Sequence, residues 1–138
     1  MTETLYFGTY TKKTSEGIYK ASLDTTTGLL SDRQLVAKEP NPTYLTFDKS
    51  GHLYSVGAEN GEGGVAAFDN DGELINHVVD AGAPLCYVAV DEVRNLVYGA
   101  NYHKGEVLVY KRAADGALTL ADKDVHTGSG PHENQASP

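Results

Sequence analysis

The sequence predicts an all-β fold made of β-propeller blades, each a sheet of four antiparallel strands. Glycines at positions 28, 72 and 116 lie 44 residues apart, and leucines at 30, 74 and 118 repeat the same spacing. Each period holds four short apolar segments separated by turn residues, which is typical of one propeller blade. No segment shows the 3.6-residue apolar period of an amphipathic helix. A β-sandwich is the alternative, but it does not require a fixed period over three units.

The second unit, about residues 41–82, shows the four strands most clearly. Short segments containing Gly or Asp separate them, and these residues allow the tight turns of hairpins. The segment 59–64 is acidic and rich in glycine, and it is expected to be the loop between the second and third strands. The predicted strands are Tyr44–Phe47, Leu53–Val56, Val65–Phe68 and Glu73–Val79.

The third unit, about residues 83–130, repeats this arrangement. Pro84 and Tyr87 echo Pro42 and Tyr44 at the entry of the second unit. The predicted strands are Tyr87–Val90, Leu96–Ala100, Val107–Tyr110 and Leu118–Val125.

The first unit, about residues 2–40, is predicted to lack its innermost strand. It begins with Leu5-Tyr6-Phe7, which matches the second strand of the next unit, Leu53-Tyr54. Pairing of the two chain ends in a closed ring would leave such a gap, and propellers close with about 4–8 blades. We therefore expect 138 residues to be the N-terminal part of one longer propeller domain, with the next blade beginning near 131.

Composition excludes several classes of protein. The chain has 11 Lys and Arg against 19 Asp and Glu, a net charge of −8, which disfavours nucleic acid as a partner. A single Cys forms no internal disulfide and no thiolate metal cage. Apolar runs are too short to cross a membrane, and residues 1–7 do not resemble a signal peptide. We therefore expect no membrane partner and a cytoplasmic location.

An ordered set of motifs resembles the seven-bladed β-propeller lactonases of the bacterial 6-phosphogluconolactonase type. The opening Phe7-Gly8-Thr9-Tyr10-Thr11 is similar to the start of that family, and Asn41-Pro42-Thr43-Tyr44-Leu45 is similar to its blade-entry motif. Ala100-Asn101-Tyr102 and Gly128-Ser129-Gly130-Pro131 fit its third unit and the following link. The resemblance covers the whole chain and implies about three blades of seven.

The resemblance implies hydrolysis of a phosphorylated sugar lactone in the pentose phosphate pathway, without a cofactor. The family's site lies in the central channel, and its main catalytic residues are expected beyond Pro138, in the remaining blades. The chain alone is therefore expected to be inactive. Two alternatives remain: a lactonising cycloisomerase on the same fold, and a non-catalytic propeller that binds protein partners. The absence of Trp counts against a WD-type platform.

Tyr44 and Tyr87 are candidate substrate-binding residues because they begin the predicted innermost strands, which line the channel of a propeller. The alternative is that both tyrosines pack between blades. Cys86 lies on the opposite pleat of its strand and is expected in the apolar core.

A polar cluster, Asn101, Tyr102, His103 and Lys104, follows the second strand of the third unit. Asn and Lys can bind a phosphate or a sugar hydroxyl, and His can transfer a proton near neutral pH. The alternative is a solvated hairpin turn. All four are candidate substrate-binding residues.

His132 is the one catalytic candidate within the chain, because the link that carries it passes near a mouth of the channel. His52, in a turn, and His77, on an outer strand, are expected to be exposed. No metal site is predicted, because His132 and Glu133 have no third ligand at a suitable spacing.

Overall fold

The computed structural model describes residues 1–135, which form eleven β-strands in three antiparallel sheets. Residues 136–138, at the end of the predicted link, lie outside the described part. Sheet 1 consists of β1 (Thr2–Phe7), β2 (Gly17–Asp24) and β3 (Leu30–Lys38). Sheet 2 consists of β4 (Leu45–Phe47), β5 (Leu53–Glu59), β6 (Glu62–Phe68) and β7 (Leu74–Asp80). Sheet 3 consists of β8 (Tyr87–Asp91), β9 (Leu96–Asn101), β10 (Glu106–Arg112) and β11 (Leu118–Val125).

This architecture confirms the predicted all-β fold of propeller blades. Sheets 2 and 3 have four strands in chain order, whereas sheet 1 has three, with β1 at its edge. Among residues 1–135 there is no helix, and so no helix long and apolar enough to cross a membrane. The unit boundaries stay predictions.

The hairpin between β5 and β6 is tighter than the sequence indicated. Asn60 and Gly61 have φ angles of 52° and 82°, the left-handed values that a two-residue type I′ turn requires. Residues 57–59 therefore pair with residues 62–64 instead of forming a loop. The predicted strands in this region were too short because glycine and glutamate are typical of loops.

Alternating faces of sheet 2 pack against both neighbouring sheets. Leu53 and Phe68 join a buried cluster with Ile18 of sheet 1. Tyr54 and Val56 lie one and three positions after Leu53 on β5, so their side chains point to the opposite face. There they join Val97, Leu108 and Tyr110 of sheet 3 in a second buried cluster. The apolar residues of one strand thus hold three sheets side by side, as in consecutive blades.

The two outermost faces of the assembly keep apolar residues in contact with solvent. On sheet 1, Phe7, Tyr19 and Leu30 line an open hollow of about 600 Å³. On sheet 3, Val107 is exposed on the face turned away from sheet 2. Comparable apolar faces are buried where sheet 1 meets sheet 2 and where sheet 2 meets sheet 3.

Candidate active-site cleft

Tyr44 and Tyr87 lie together at the inner strands. Tyr44 immediately precedes β4 and Tyr87 begins β8, so equivalent positions of adjacent sheets supply the two rings. Their ring centroids are 4.7 Å apart and tilted by 46°, and the residues remain 41% and 44% exposed. The pair therefore combines packing between sheets with an accessible aromatic surface, the kind of surface on which the apolar face of a sugar ring stacks.

A cleft of about 700 Å³ opens between the turn after β9 and the segment that follows β11. Tyr102 and His103 line one side, with their rings 4.0 Å apart. Gly128, Ser129 and Gly130 line the other side together with Asn134 and Gln135. The structure thus brings two residues of the predicted polar cluster to a cavity formed with the predicted link.

The link beside the cleft is ordered by its own hydrogen bonds. The Gly130 amide donates to the Gln135 carbonyl at 2.7 Å, and the Gln135 amide donates to the His132 carbonyl at 2.8 Å. His132 Nδ1 accepts the Asn134 amide at 3.1 Å, so a neutral His132 ring carries its proton on Nε2. His132 is exposed, and the lining of the cleft includes its neighbours rather than His132 itself.

Asn101 positions the cleft rather than lining it. Its side chain is buried, with Nδ2 donating to the Ala83 carbonyl at 2.8 Å and Oδ1 accepting the Lys104 amide at 3.2 Å. Both ends of the carboxamide are occupied by main-chain partners. Asn101 thereby fixes the Tyr102–Gly105 turn to the link that enters sheet 3.

Lys104 points away from Tyr102 and His103, into an acidic cluster between sheets 2 and 3. Its Nζ lies 3.4 Å from a carboxylate oxygen of Asp80 and 3.4 Å from one of Glu106, and donates to the Ala81 carbonyl at 2.9 Å. Lys123 reaches the same two carboxylates. Hydrogen bonding from Lys123, and then from the Ala81 amide and Lys104, lowers the pKa of Asp80 to about 2.

Sequence reasoning missed a buried carboxylate–histidine pair between sheets 1 and 2. His77 on β7 was expected to be exposed, but only 9% of its side chain is, because Glu39 from the preceding link lies over it. His77 Nε2 is 2.7 Å and 2.9 Å from the two Glu39 oxygens, and the Ala58 amide also donates to Glu39. Burial raises the pKa of Glu39 and outweighs these hydrogen bonds.

The strand register shows that this pair has a counterpart in the next interface. His77 follows Ser55 and Ala66 in one row across sheet 2, and Lys123 ends the matching row of sheet 3. Lys123 pairs with the buried carboxylate of Glu106. The partner of Lys123 across the interface is Asp80 of sheet 2, so a base at this position of the outer strand binds a carboxylate of the preceding sheet, or of the link that follows it, at both interfaces.

His52 was also expected to be exposed, and this expectation was wrong for a similar reason. Its Nδ1 lies 2.7 Å from Asp48 Oδ2, and the glycine turn at Gly116 of sheet 3 covers its ring. Arg112 of sheet 3 donates to the same Asp48 oxygen at 2.7 Å. Burial by itself raises the pKa of Asp48. The hydrogen bonds from His52 and Arg112 have a larger combined effect in the other direction, so the pKa lies below its ordinary value.

Among residues 1–135, no group of three or more His, Cys, Asp or Glu side chains is placed to hold a metal ion. The cleft presents aromatic rings, an imidazole and main-chain groups of a glycine-containing segment. Such groups can stack on a ring, hydrogen-bond to hydroxyl or phosphoryl oxygens, and move a proton.

The chain belongs to the family described as "Lactonase, 7-bladed beta-propeller", whose model matches residues 4–138. It is 46% identical over 140 residues to the 6-phosphogluconolactonase of Bacillus subtilis, a match that covers 96% of this chain and 40% of that protein.

Two solved structures extend the comparison. A protein from Lactobacillus plantarum matches with a TM-score of 0.91 and 54% identity, over 96% of this chain and 40% of that one. The periplasmic gluconolactonase PpgL of Pseudomonas aeruginosa matches with a TM-score of 0.87 and 29% identity, over 99% and 42%. The chain thus spans about two fifths of the length of these relatives.

Proposed function

We propose that the complete protein containing this chain is a 6-phosphogluconolactonase-like hydrolase of the pentose phosphate pathway. The observation that carries this proposal is the 46% identity to the Bacillus subtilis enzyme across 96% of the chain. In the proposed reaction water adds to the lactone carbonyl, the ring C–O ester bond breaks, and a sugar acid is released. The proposed substrate is a small phosphorylated sugar lactone, and no cofactor takes part.

The partners of this chain, on this proposal, are the remaining blades of the same propeller. Its relatives are about two and a half times as long, and its two outermost sheet faces keep apolar residues exposed. The edge of β1 is the place where the innermost strand missing from sheet 1 would pair. The principal catalytic residues belong to those blades, so residues 1–138 alone are inactive.

The described residues contribute substrate binding in this scheme. Tyr44 and Tyr87 offer a stacking surface for the sugar ring, and Tyr102 offers a second ring at the cleft. His103 at the cleft and His132 in the adjoining link are the imidazoles to which this scheme assigns proton transfer. Lys104 is engaged by two carboxylates and an Ala81 carbonyl, so its role in the proposal is to support the turn rather than to bind phosphate.

We propose a cytoplasmic location, in keeping with a phosphorylated substrate. Because the chain is also similar to a periplasmic gluconolactonase, the unphosphorylated sugar lactone is the alternative substrate to compare. Fractionation of cells that express the complete native gene tests the location, and recovery outside the cytoplasm would contradict it.

The function is tested by following ring opening of 6-phosphogluconolactone, gluconolactone and muconolactone with the complete protein. We expect acceleration over spontaneous hydrolysis with the phosphorylated sugar lactone, and a lower kcat/KM with gluconolactone. Preferential turnover of gluconolactone would reassign the substrate, and preferential turnover of muconolactone would favour a cycloisomerase. If the rate with all three lactones equals that of spontaneous hydrolysis, the remaining interpretation is a non-catalytic propeller that binds protein partners.

Variants at the aromatic residues test the binding surface separately from the chemistry. Tyr87→Ala and Tyr102→Ala are expected to raise KM by about two- to tenfold, because an aromatic contact contributes about 0.5–1.5 kcal/mol. Val93→Ala is the matched control, since Val93 is exposed in the turn at the opposite end of sheet 3. Unchanged KM in both tyrosine variants would remove these residues from the substrate site.

A further inference from the structure

Sheets 2 and 3 carry the same constellation at the end of their innermost strands. Asp48 follows β4, and Asp91 ends β8. Each carboxylate accepts two main-chain amides of the following turn through Oδ1. The hydroxyl of a tyrosine on the second strand lies beside each carboxylate: Tyr98 donates to Asp91 at 2.9 Å, and the Tyr54 oxygen is 3.5 Å from Asp48. The tyrosines lie 44 residues apart, so the constellation follows the repeat.

In sheet 2 this constellation is closed by the next sheet. Arg112, at the end of β10, donates to Asp48 Oδ2 at 2.7 Å, and the Tyr54 hydroxyl donates to the Gly116 carbonyl at 2.9 Å. The side chain of Asp48 is 0% exposed as a result. Arg112 is also bound by Glu92 and Asn95 of its own sheet, at 2.9 Å and 3.2 Å. Its planar guanidinium thus bridges two blades.

In sheet 3 the corresponding carboxylate, Asp91, is 14% exposed, and within residues 1–135 its Oδ2 is bound by groups of its own sheet. Asp91 Oδ2 accepts the Tyr98 hydroxyl at 2.9 Å and Arg94 at 3.0 Å. Arg94 comes from the turn of the same sheet, and 70% of its side chain is exposed. The carboxylate is ready to bind a cation, since the Arg94 amide and guanidinium lower its pKa. On the same face of sheet 3, toward the other end of β10, Val107 is exposed, whereas Val65, its counterpart in sheet 2, is fully buried.

We propose that Asp91 and Tyr98 form a docking socket for a guanidinium at the end of the third strand of a following blade. The occupant belongs to the same polypeptide, and this inference rests on the remaining blades of the proposed function. This chain spans about two fifths of its relatives, so the remaining length of those proteins is sufficient for such a blade. By the repeat, the arginine lies about 44 residues after Arg112. As that blade docks, the Tyr98 hydroxyl turns from Asp91 to a main-chain carbonyl of the blade's hairpin turn, as the Tyr54 hydroxyl donates to Gly116.

An arginine fits this socket better than a lysine. The equivalent Arg112 contacts Asp48, Glu92 and Asn95 at once, which needs several donors in a fixed plane. A lysine ammonium binds as a point charge and cannot bridge the carboxylate of one blade and the turn of another in the same way. Arrival of the new guanidinium displaces the exposed Arg94 from Asp91.

The decisive experiment is an experimental structure of the complete protein, read at Asp91. The expected result is a guanidinium nitrogen from the following blade within about 3 Å of Asp91 Oδ2. Contact with Arg94 or solvent alone would overturn the inference. A cation supplied by a second copy of the protein would overturn the assigned occupant.

Stability measurements on the complete protein give an independent reading. Asp91→Asn keeps an oxygen for the turn amides and is expected to lower Tm by several degrees, and the same loss is expected of Asp48→Asn at the closed socket. Arg94→Ala, the matched control for the local ion pair, is expected to leave Tm almost unchanged. Equal small effects of Asp91→Asn and Arg94→Ala would contradict the docking role. Lactonase assays report on the proposed function separately, because the socket lies at the opposite end of sheet 3 from the cleft.

Discussion

At the scale of single residues, buried carboxylates determine how adjacent sheets fit together. Glu39 and Asp48 each leave the sheet surface through a link or turn and receive a base from an adjacent sheet, His77 and Arg112 respectively. Apolar packing alone does not distinguish one sheet register from another, whereas a buried carboxylate without its base is costly. These contacts therefore select one arrangement of neighbouring blades.

Asp48→Asn is expected to destabilise the complete protein by about 3 kcal/mol at neutral pH, because Arg112 loses its buried partner. The pKa of Asp48 is lowered by folding, so its contribution is complete above the ordinary value of 3.8 and disappears as pH falls through the lowered pKa. The difference between variant and native protein should shrink in acid. Denaturant unfolding at several pH values measures it.

The control for this variant is Asp69→Asn. Asp69 accepts the Asp71 and Glu73 amides of an exposed turn, as Asp48 does in its own turn, but it lies outside the Arg112 network. Asn can accept the same amides, so we expect a change below about 0.5 kcal/mol. Equal losses in both variants would show that the turn, not the cross-sheet contact, matters.

His77→Asn is expected to lower Tm more near pH 7 than near pH 4. Folding raises the pKa of Glu39, so its stabilising contribution is present below the ordinary value of 4.5 and is lost as pH rises through the raised pKa. Without His77 the ionised carboxylate loses a hydrogen bond, which deepens this loss at higher pH. Thermal melts across this range measure the difference.

His77→Lys is the informative companion variant. Lysine occupies the equivalent position 123, where it binds the buried Glu106. We expect this variant to recover most of the stability lost in His77→Asn near neutral pH. If both variants lose the same stability at all pH values, the ion pair does not stabilise the interface.

The two histidines show what a single sequence conceals. The positions of His52 and His77 in a turn and on an outer strand could be predicted, yet their burial could not. Glu39 is 38 residues from His77, and Gly116 of sheet 3 covers His52 of sheet 2. Neither contact has a local signal. Tyr44 and Tyr87 were easier to place, because the repeat puts them at equivalent entries of adjacent sheets.

At the scale of elements, the repeat predicted the number and order of strands, and turn chemistry determined their lengths. Leu118–Val125 was predicted with the observed bounds, since a glycine turn precedes it and apolar residues alternate along its start. Residues 59–64 of the β5–β6 hairpin were mistaken for a loop because they are acidic and contain Gly61, Gly63 and Gly64. Gly57 is required in the same hairpin because a Cβ would collide with the Glu39 carboxylate.

Gly61→Ala tests the type I′ turn directly. The φ angle of Gly61 is 82° and nothing lies within 4 Å of an added Cβ, so the only cost is backbone strain. We expect a loss of about 1 kcal/mol in unfolding free energy. Gly128→Ala is the control, because Gly128 has equal space and no positive φ angle. Similar effects at both sites would contradict the turn assignment.

At the scale of the whole molecule, each sheet face that meets a neighbour is apolar and buried, and two such faces still have no neighbour. The hollow of about 600 Å³ on sheet 1 and the exposed Val107 on sheet 3 are the unfilled counterparts of the two internal interfaces. The length of the relatives accounts for both faces if further blades cover them. The cleft at Tyr102 and His103 would then open toward residues of those blades.

Fragment complementation provides the last prediction. Residues 1–138 produced alone are expected to self-associate and to bind a hydrophobic dye, because apolar sheet faces are exposed. Mixed with the separately produced remainder of the protein, they should form a one-to-one complex, lose dye binding and gain lactonase activity that neither part shows. The intact protein is the reference for rate and mass. A monomeric 138-residue chain with a cooperative thermal transition would contradict this view, since its three sheets would then be a sufficient fold without the remaining blades.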